Sequence, residues 1–151
     1  MKAIYDAVAD SYDVTYVAVG LPFVAPERQA EGLWLQRLKL PFEVLESHSG
    51  MCIELSALFA SAFEKIYLDP VIVHVPGHAY VAVPIAEGSS TYYFLEGTLV
   101  GRESFEAAIA LGGSEFEDDA AVPLAQDRWD NYYWSDITTQ RQEGIWPIPW
   151  R

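Results

Sequence analysis

The chain has a single cysteine, Cys52, placed just after a Ser-Gly turn in "HSGMCIELSALFASAFEKI", residues 48 to 66. There a loop gives way to a long apolar run. A buried free cysteine ordinarily behaves as a small hydrophobe. At the first turn of a helix, its sulfur instead lies near unpaired backbone N–H groups, and the positive end of the helix dipole favours thiolate over thiol. Such a thiolate is a nucleophile. It needs a base that can pass protons, and the base needs an acceptor that orients it.

Histidine suits the base at neutral pH, and the chain has three. His48 precedes Cys52 in the loop and can approach the sulfur locally. His74 lies within an apolar strand and reads as a satisfied core histidine. His78 follows Pro76-Gly77 at the start of a strand, where a turn can aim it at the helix end. The acceptor comes from the next hairpin. With its loop centred on Glu87, His78 faces Glu96, and side chains directly opposite have Cβ atoms about 5 Å apart. A slip of one residue would turn Glu96 to the other face. A metal site built from His74, His78 and Cys52 lacks tight ligand spacing, so neither metal nor cofactor is expected.

These side chains must be positioned by a small set of elements. The N-terminal third reads as helix with irregular connections, with "VTYVAV" as a candidate strand. "PERQAEGLWLQRL", residues 26–38, has a proline start and helical apolar spacing weakened by Gly32. A short helix is expected over Phe42 to Ser47, closed by a turn at Gly50. From Met51 to Lys65, apolar or small residues occupy nearly every side, the mark of a helix buried mid-domain. "DPVIVHV", "HAYVAVPI" and "TYYFLEGTLV" read as three strands, the last two joined by the hairpin loop "AEGSS". "SFEAAIALGG" reads as a helix stopped by glycine, "SEFEDDAA" as an acidic loop, and an aromatic tail closes the domain. Helix followed by an antiparallel meander is an α+β arrangement.

At 151 residues, 51% hydrophobic and 14% aromatic, the chain is long enough for one domain with a real core. A net charge of −13 argues against direct nucleic-acid binding and against anionic membrane surfaces. No apolar stretch reaches a membrane span, no signal-peptide core follows the N-terminus, and one cysteine cannot form an internal disulfide. A cytoplasmic location is therefore expected.

Three stretches carry a resemblance. "GMCIELSALFASAFE", "PGHAYVAV" and "FLEGTL" are similar to the nucleophile, base and acid segments of the transglutaminase-like superfamily, a Cys-His-acid triad on a papain-like scaffold. "QRLKLPFEVL" and "DITTQRQEGIWPIP" extend the likeness to the transglutaminase-like domain of large bacterial helicase-like proteins, over roughly residues 3 to 149. The resemblance implies one such domain over residues 1–151, alone or within a larger protein. It implies Cys52 as nucleophile, His78 as general base and Glu96 as orienting acid, where the superfamily mostly has aspartate. Gln36 is the candidate oxyanion donor beside the Cys52 N–H. The expected activity is acyl transfer on a protein or peptide amide, by a peptidase, amidase or transglutaminase. The alternative is an inactive binding module of the same fold, its partner surface formed by Trp129, Tyr132, Tyr133, Trp134, Trp146 and Trp150.

Overall fold

The apolar run that follows Cys52 becomes the central helix of the protein. In a computed structural model, which describes residues 1–18, 37–122 and 132–148, this helix, α3, spans Cys52–Lys65. Before it come α1 (Lys2–Asp6, continued by a π-helical turn Ala7–Ser11), β1 (Thr15–Tyr16), α2 (Pro41–Ser47) and β2 (Ser49–Gly50). After it come β3 (Val71–Val75), β4 (His78–Pro84), β5 (Tyr92–Leu95), α4 (Phe105–Glu115), β6 (Tyr133–Asp136) and α5 (Ile137–Gln142). The class is α+β, as expected. Residues 26–36 of the expected helix over 26–38, and Gln36 with them, lie outside the described residues.

The first three large strands form the expected antiparallel meander. A fourth, β6 from the aromatic tail, adds to the free edge of β3, giving the order β5-β4-β3-β6. Period-2 alternation on β4 sends Val81 and Val83 to one face, where they pack with Leu55, Leu58, Phe59 and Phe63 of α3. Tyr80 and Ala82 go to the other, with Val71, Val73, Phe94, Phe116 and Trp134. β4 is thus buried on both faces. The expected strand around residue 15 shrinks to two residues of β1, which pair in parallel with β2 immediately before Cys52. Thr15 N–H bonds the His48 carbonyl at 3.1 Å and Val17 N–H the Gly50 carbonyl at 3.0 Å, clamping the entry to α3.

Two expectations near the acid are corrected. The third strand ends at Leu95, because the Glu96 N–H leaves the ladder and bonds the Ala108 carbonyl of α4 at 3.1 Å. Nor do the glycines stop α4, which runs through Gly112-Gly113 to Glu115 and continues as a π-helical turn, Phe116–Ala120. The segment read as an acidic loop is therefore largely helical. Gly112 has a different purpose: a Cβ there would lie 2.7 Å from the Phe94 carbonyl oxygen and 3.0 Å from the Glu96 nitrogen. Only a bare Cα lets α4 approach β5 so closely.

The neighbouring glycines give an internal control. Gly112→Ala is expected to destabilise the protein by about 1–3 kcal/mol, since backbone, not a movable side chain, must give way. A Cβ at Gly113 would meet nothing within 4 Å, so Gly113→Ala should be neutral or stabilising by up to ~1 kcal/mol. Urea unfolding of the two variants measures both.

Candidate active site

Three elements converge at the N-terminus of α3. Cys52 is its first residue and is half-buried. The carboxylate of Glu54 reaches back to the Met51 N–H at 2.9 Å, satisfying one orphan donor of the helix start. Its other oxygen takes the Lys39 N–H at 2.7 Å, so the buried Glu54 ties the incoming segment to the helix that carries the sulfur.

His78 opens β4. It pairs with Val75 across a tight turn at Pro76-Gly77, where Gly77 has φ +78°, a conformation open mainly to glycine. The hairpin that brings Glu96 has a register different from the expected one. Val81 pairs with Leu95 and Pro84 with Tyr92, which centres the loop on Gly88, at φ +72°, rather than on Glu87. Glu96 therefore lies diagonal to His78, not opposite it. A two-residue displacement keeps the face, and diagonal neighbours are still within reach of a long side chain. The Glu96 Oε2 to His78 Nε2 distance is 2.6 Å.

Glu96 is fully buried, and its second oxygen accepts the Thr98 N–H at 2.8 Å. With Nε2 given to Glu96, Nδ1 is the nitrogen left for the sulfur, and Cys52 and His78 each act on the other's titration. Burial pushes the Cys52 thiol up, but hydrogen bonding and charge from His78, with backbone N–H groups of Ala79 and Ile53, outweigh it and lower its pKa. His78 is raised from 6.5 to about 10, first by the hydrogen bond to Cys52, then by that to Glu96, against the effect of burial. Burial pushes Glu96 up as well, yet hydrogen bonds from His78, Glu115 and Thr98 hold it below the usual carboxylate range. Thiolate, imidazolium and carboxylate are the matched charge states.

The other histidines are engaged elsewhere. His48 caps α2 in a left-handed conformation (φ 52°), and its Nδ1 meets the Tyr12 carbonyl oxygen at 2.5 Å, away from any role on the sulfur. His74 packs edge-on against Tyr133, with ring centroids 6.3 Å apart, and burial lowers its pKa. Two groups at the site escaped the sequence reading. Tyr16 of β1 has a raised pKa, through burial and then the Cys52 charge. Glu115 places an oxygen 3.7 Å from His78 Nε2. Its signal was available: Ala108, Gly112 and Glu115 follow helical spacing on one face.

Donor atoms of His78, Glu96 and Glu115 lie within 4.8 Å of one another, the one such grouping among the described residues. A separation of 2.6 Å between His78 and Glu96 suits a shared proton better than a metal, since two ligands of one zinc ion stand about 3.3 Å apart at ordinary bond lengths. A cleft lined by Glu64, Arg141 and Trp146 lies at the other end of α3. No helix among the described residues is long and apolar enough to cross a membrane. Comparison of the chain with protein-family models, curated proteins and solved structures finds no match in any of the three.

The shifted groups leave a signature in stability. His78, raised to about 10, contributes stability that is complete below 6.5 and lost as pH rises to about 10. Cys52, lowered from 9.0, contributes stability that is complete above 9.0 and lost as pH falls through its folded value. From the folded value of Cys52 up to 9.0 the two trends offset, and between 9.0 and about 10 only the His78 loss remains. Denaturant unfolding at pH 8, 9 and 10 should show wild-type stability falling over the last step and His78→Gln falling less. In the same variant the apparent pKa of iodoacetamide alkylation at Cys52 should rise, because burial of the thiol remains when its partner is gone.

Proposed function

We propose that the chain is a thiol-dependent acyl-transfer enzyme acting on a protein or peptide amide, with Cys52, His78 and Glu96 as its triad. The observation that supports it most is the imidazole of His78 held 2.6 Å from a buried carboxylate while it lowers the pKa of a helix-N-terminal thiol. In the first half-reaction the Cys52 sulfur attacks the amide carbonyl and a C–S bond forms. His78 gives its proton to the nitrogen as the C–N bond breaks, releasing the amine and leaving a thioester. Water or a second amine then attacks the thioester, neutral His78 takes its proton, and the thiolate leaves. Water as acceptor makes the enzyme a peptidase or amidase, and an amine makes it a transglutaminase. Glu96 holds the imidazole in the tautomer that presents Nδ1 to the sulfur and stabilises the imidazolium. The backbone N–H of Cys52, at the helix start, is a donor for the developing oxyanion. A helix carrying the nucleophile packed on an antiparallel sheet carrying base and acid is the arrangement a papain-like, transglutaminase-like scaffold uses, and supports that finer reading.

A second reading, an inactive binding module of the same fold, draws on the tail. Tyr132 and Trp134 complete the second core cluster, but Trp146 is 72% exposed and Tyr67 95%. Trp129 and Trp150 lie outside the described residues.

Amide hydrolysis and amine incorporation assayed on a mixed peptide library should both vanish in Cys52→Ala. Glu96→Gln, which keeps size but loses charge, should lower turnover by up to ~10⁴ while leaving the fold intact. Glu96→Asp should also be impaired, its carboxylate falling about 1.5 Å short of His78. A full-rate aspartate variant would show that the diagonal geometry is not what selects glutamate. An inert thiol in wild type would favour the binding module.

A further inference from the structure

Two buried polar atoms among the described residues lack a hydrogen-bond partner: Oε2 of Glu115 and the hydroxyl of Tyr80. A buried, unsatisfied carboxylate oxygen is costly, so the group it meets matters. Glu115 stands at the C-terminal end of α4, which Gly112 holds tight against β5 beside Glu96. A carboxylate oxygen of Glu115 lies within 4.8 Å of one of Glu96 and 3.7 Å from His78 Nε2. Two carboxylates in one buried site cannot both ionise cheaply, and a proton held between them satisfies both. Glu96 already accepts from His78 and Thr98, which favour its charged form, so the proton belongs to Glu115.

We propose that Glu115 is a positioning residue of this site: as a neutral carboxylic acid it donates a hydrogen bond to the Glu96 carboxylate and so holds Glu96 against His78. The assignment rests on the triad reading above and adds a fourth member to it. Charge bookkeeping is consistent with it. With Glu115 neutral, one buried carboxylate and one thiolate face one imidazolium; a second carboxylate charge would leave the cluster strongly negative. The titratable groups that face Glu115 are Glu96 at the end of β5, His78 and Tyr80 on β4, and Asp119 in the following turn. Burial first, then Glu96, push Glu115 up to about 7, with His78 opposing and Asp119 adding to the rise. Tyr80 is pushed up by burial and then by the Glu115 charge, so it remains a neutral neighbour. Below neutrality the donor is in place; as pH rises through about 7 the donor is lost and Glu115 repels Glu96.

Carboxyl ¹³C titration of Glu-labelled protein tests the proton directly. One carboxyl should titrate near neutrality, and that step should vanish in Glu115→Gln while Glu96 titrates low. Both carboxyls titrating near ~4.3, the ordinary value, would overturn the proposal. The positioning role is read on Cys52 alkylation. Glu115→Gln keeps an N–H donor and should react about tenfold faster at pH 6 than Glu115→Ala, the worth of one hydrogen bond to a charged group. Equal rates in the two variants would overturn the role. Wild type should slow as pH rises through neutrality, and a profile with that inflection retained in Glu115→Gln would do the same. The two readings are separated by their readouts: an ordinary thiol pKa in the wild-type alkylation profile overturns the triad, whereas a missing neutral carboxyl step in the titration overturns Glu115.

Discussion

One proton, held by His78 between a carboxylate and a sulfur, is the constraint around which this end of the molecule is built. Glu96 is a fully buried acid, and an unpaired charge there would be severely destabilising. The imidazolium supplies the compensating charge, and it persists because two acceptors bind it at once. The arrangement is mutual. Removing any one member changes the charge balance of the other two, so the three substitutions are expected to be strongly non-additive. The same mutual support lowers the pKa of the thiol from within the protein.

The scaffold's task is to bring residues far apart in sequence to within hydrogen-bonding distance. It does so with backbone rather than with adaptable side chains. β1 clamps the loop before Cys52 through main-chain bonds to His48 and Gly50. The Pro76-Gly77 turn fixes where His78 begins its strand. The acid is held at its own N–H by the Ala108 carbonyl of α4, a contact that exists because Gly112 has no side chain. Glu54 adds the only long-range side-chain tether of this set, joining residue 39 to the helix start. Main-chain contacts of this kind tolerate little displacement, which is what a triad needs.

Much of this was legible in the sequence because its signals are local. A lone cysteine after Ser-Gly at the head of an apolar run, and a histidine after Pro-Gly, announce a helix start and a strand start without reference to the rest of the chain. The meeting of Glu96 with His78 was read from an assumed hairpin centre, and neither its register nor its face was legible from period 2 alone. Register depends on where the hairpin loop turns, and "AEGSS" offers both Glu87 and Gly88 as centres; the positive φ at Gly88 decides it. The course of α4 was misread because glycine usually marks a helix end, and here tertiary packing overrides that preference. β6 was hidden in an aromatic tail whose strand character comes from its partner β3, and Trp134 joins the core only once that pairing exists. Gln36 lies outside the described residues, so its proposed part in the oxyanion site stays a reading of sequence.

The spacing of the cluster along the chain, from residue 52 to residue 115, has a consequence in time. α3 is a local structure and can form early, but a helix start alone supplies the sulfur with neither base nor acid. His78 arrives only when β4 docks on α3, and Glu96 only when the hairpin has closed and α4 has packed beneath it. Contacts of such long sequence separation form late, because chain entropy must be lost before they stabilise anything. On the proposed reading, the sulfur gains its partners only as the last pieces lock, so its reactivity would report the completion of folding.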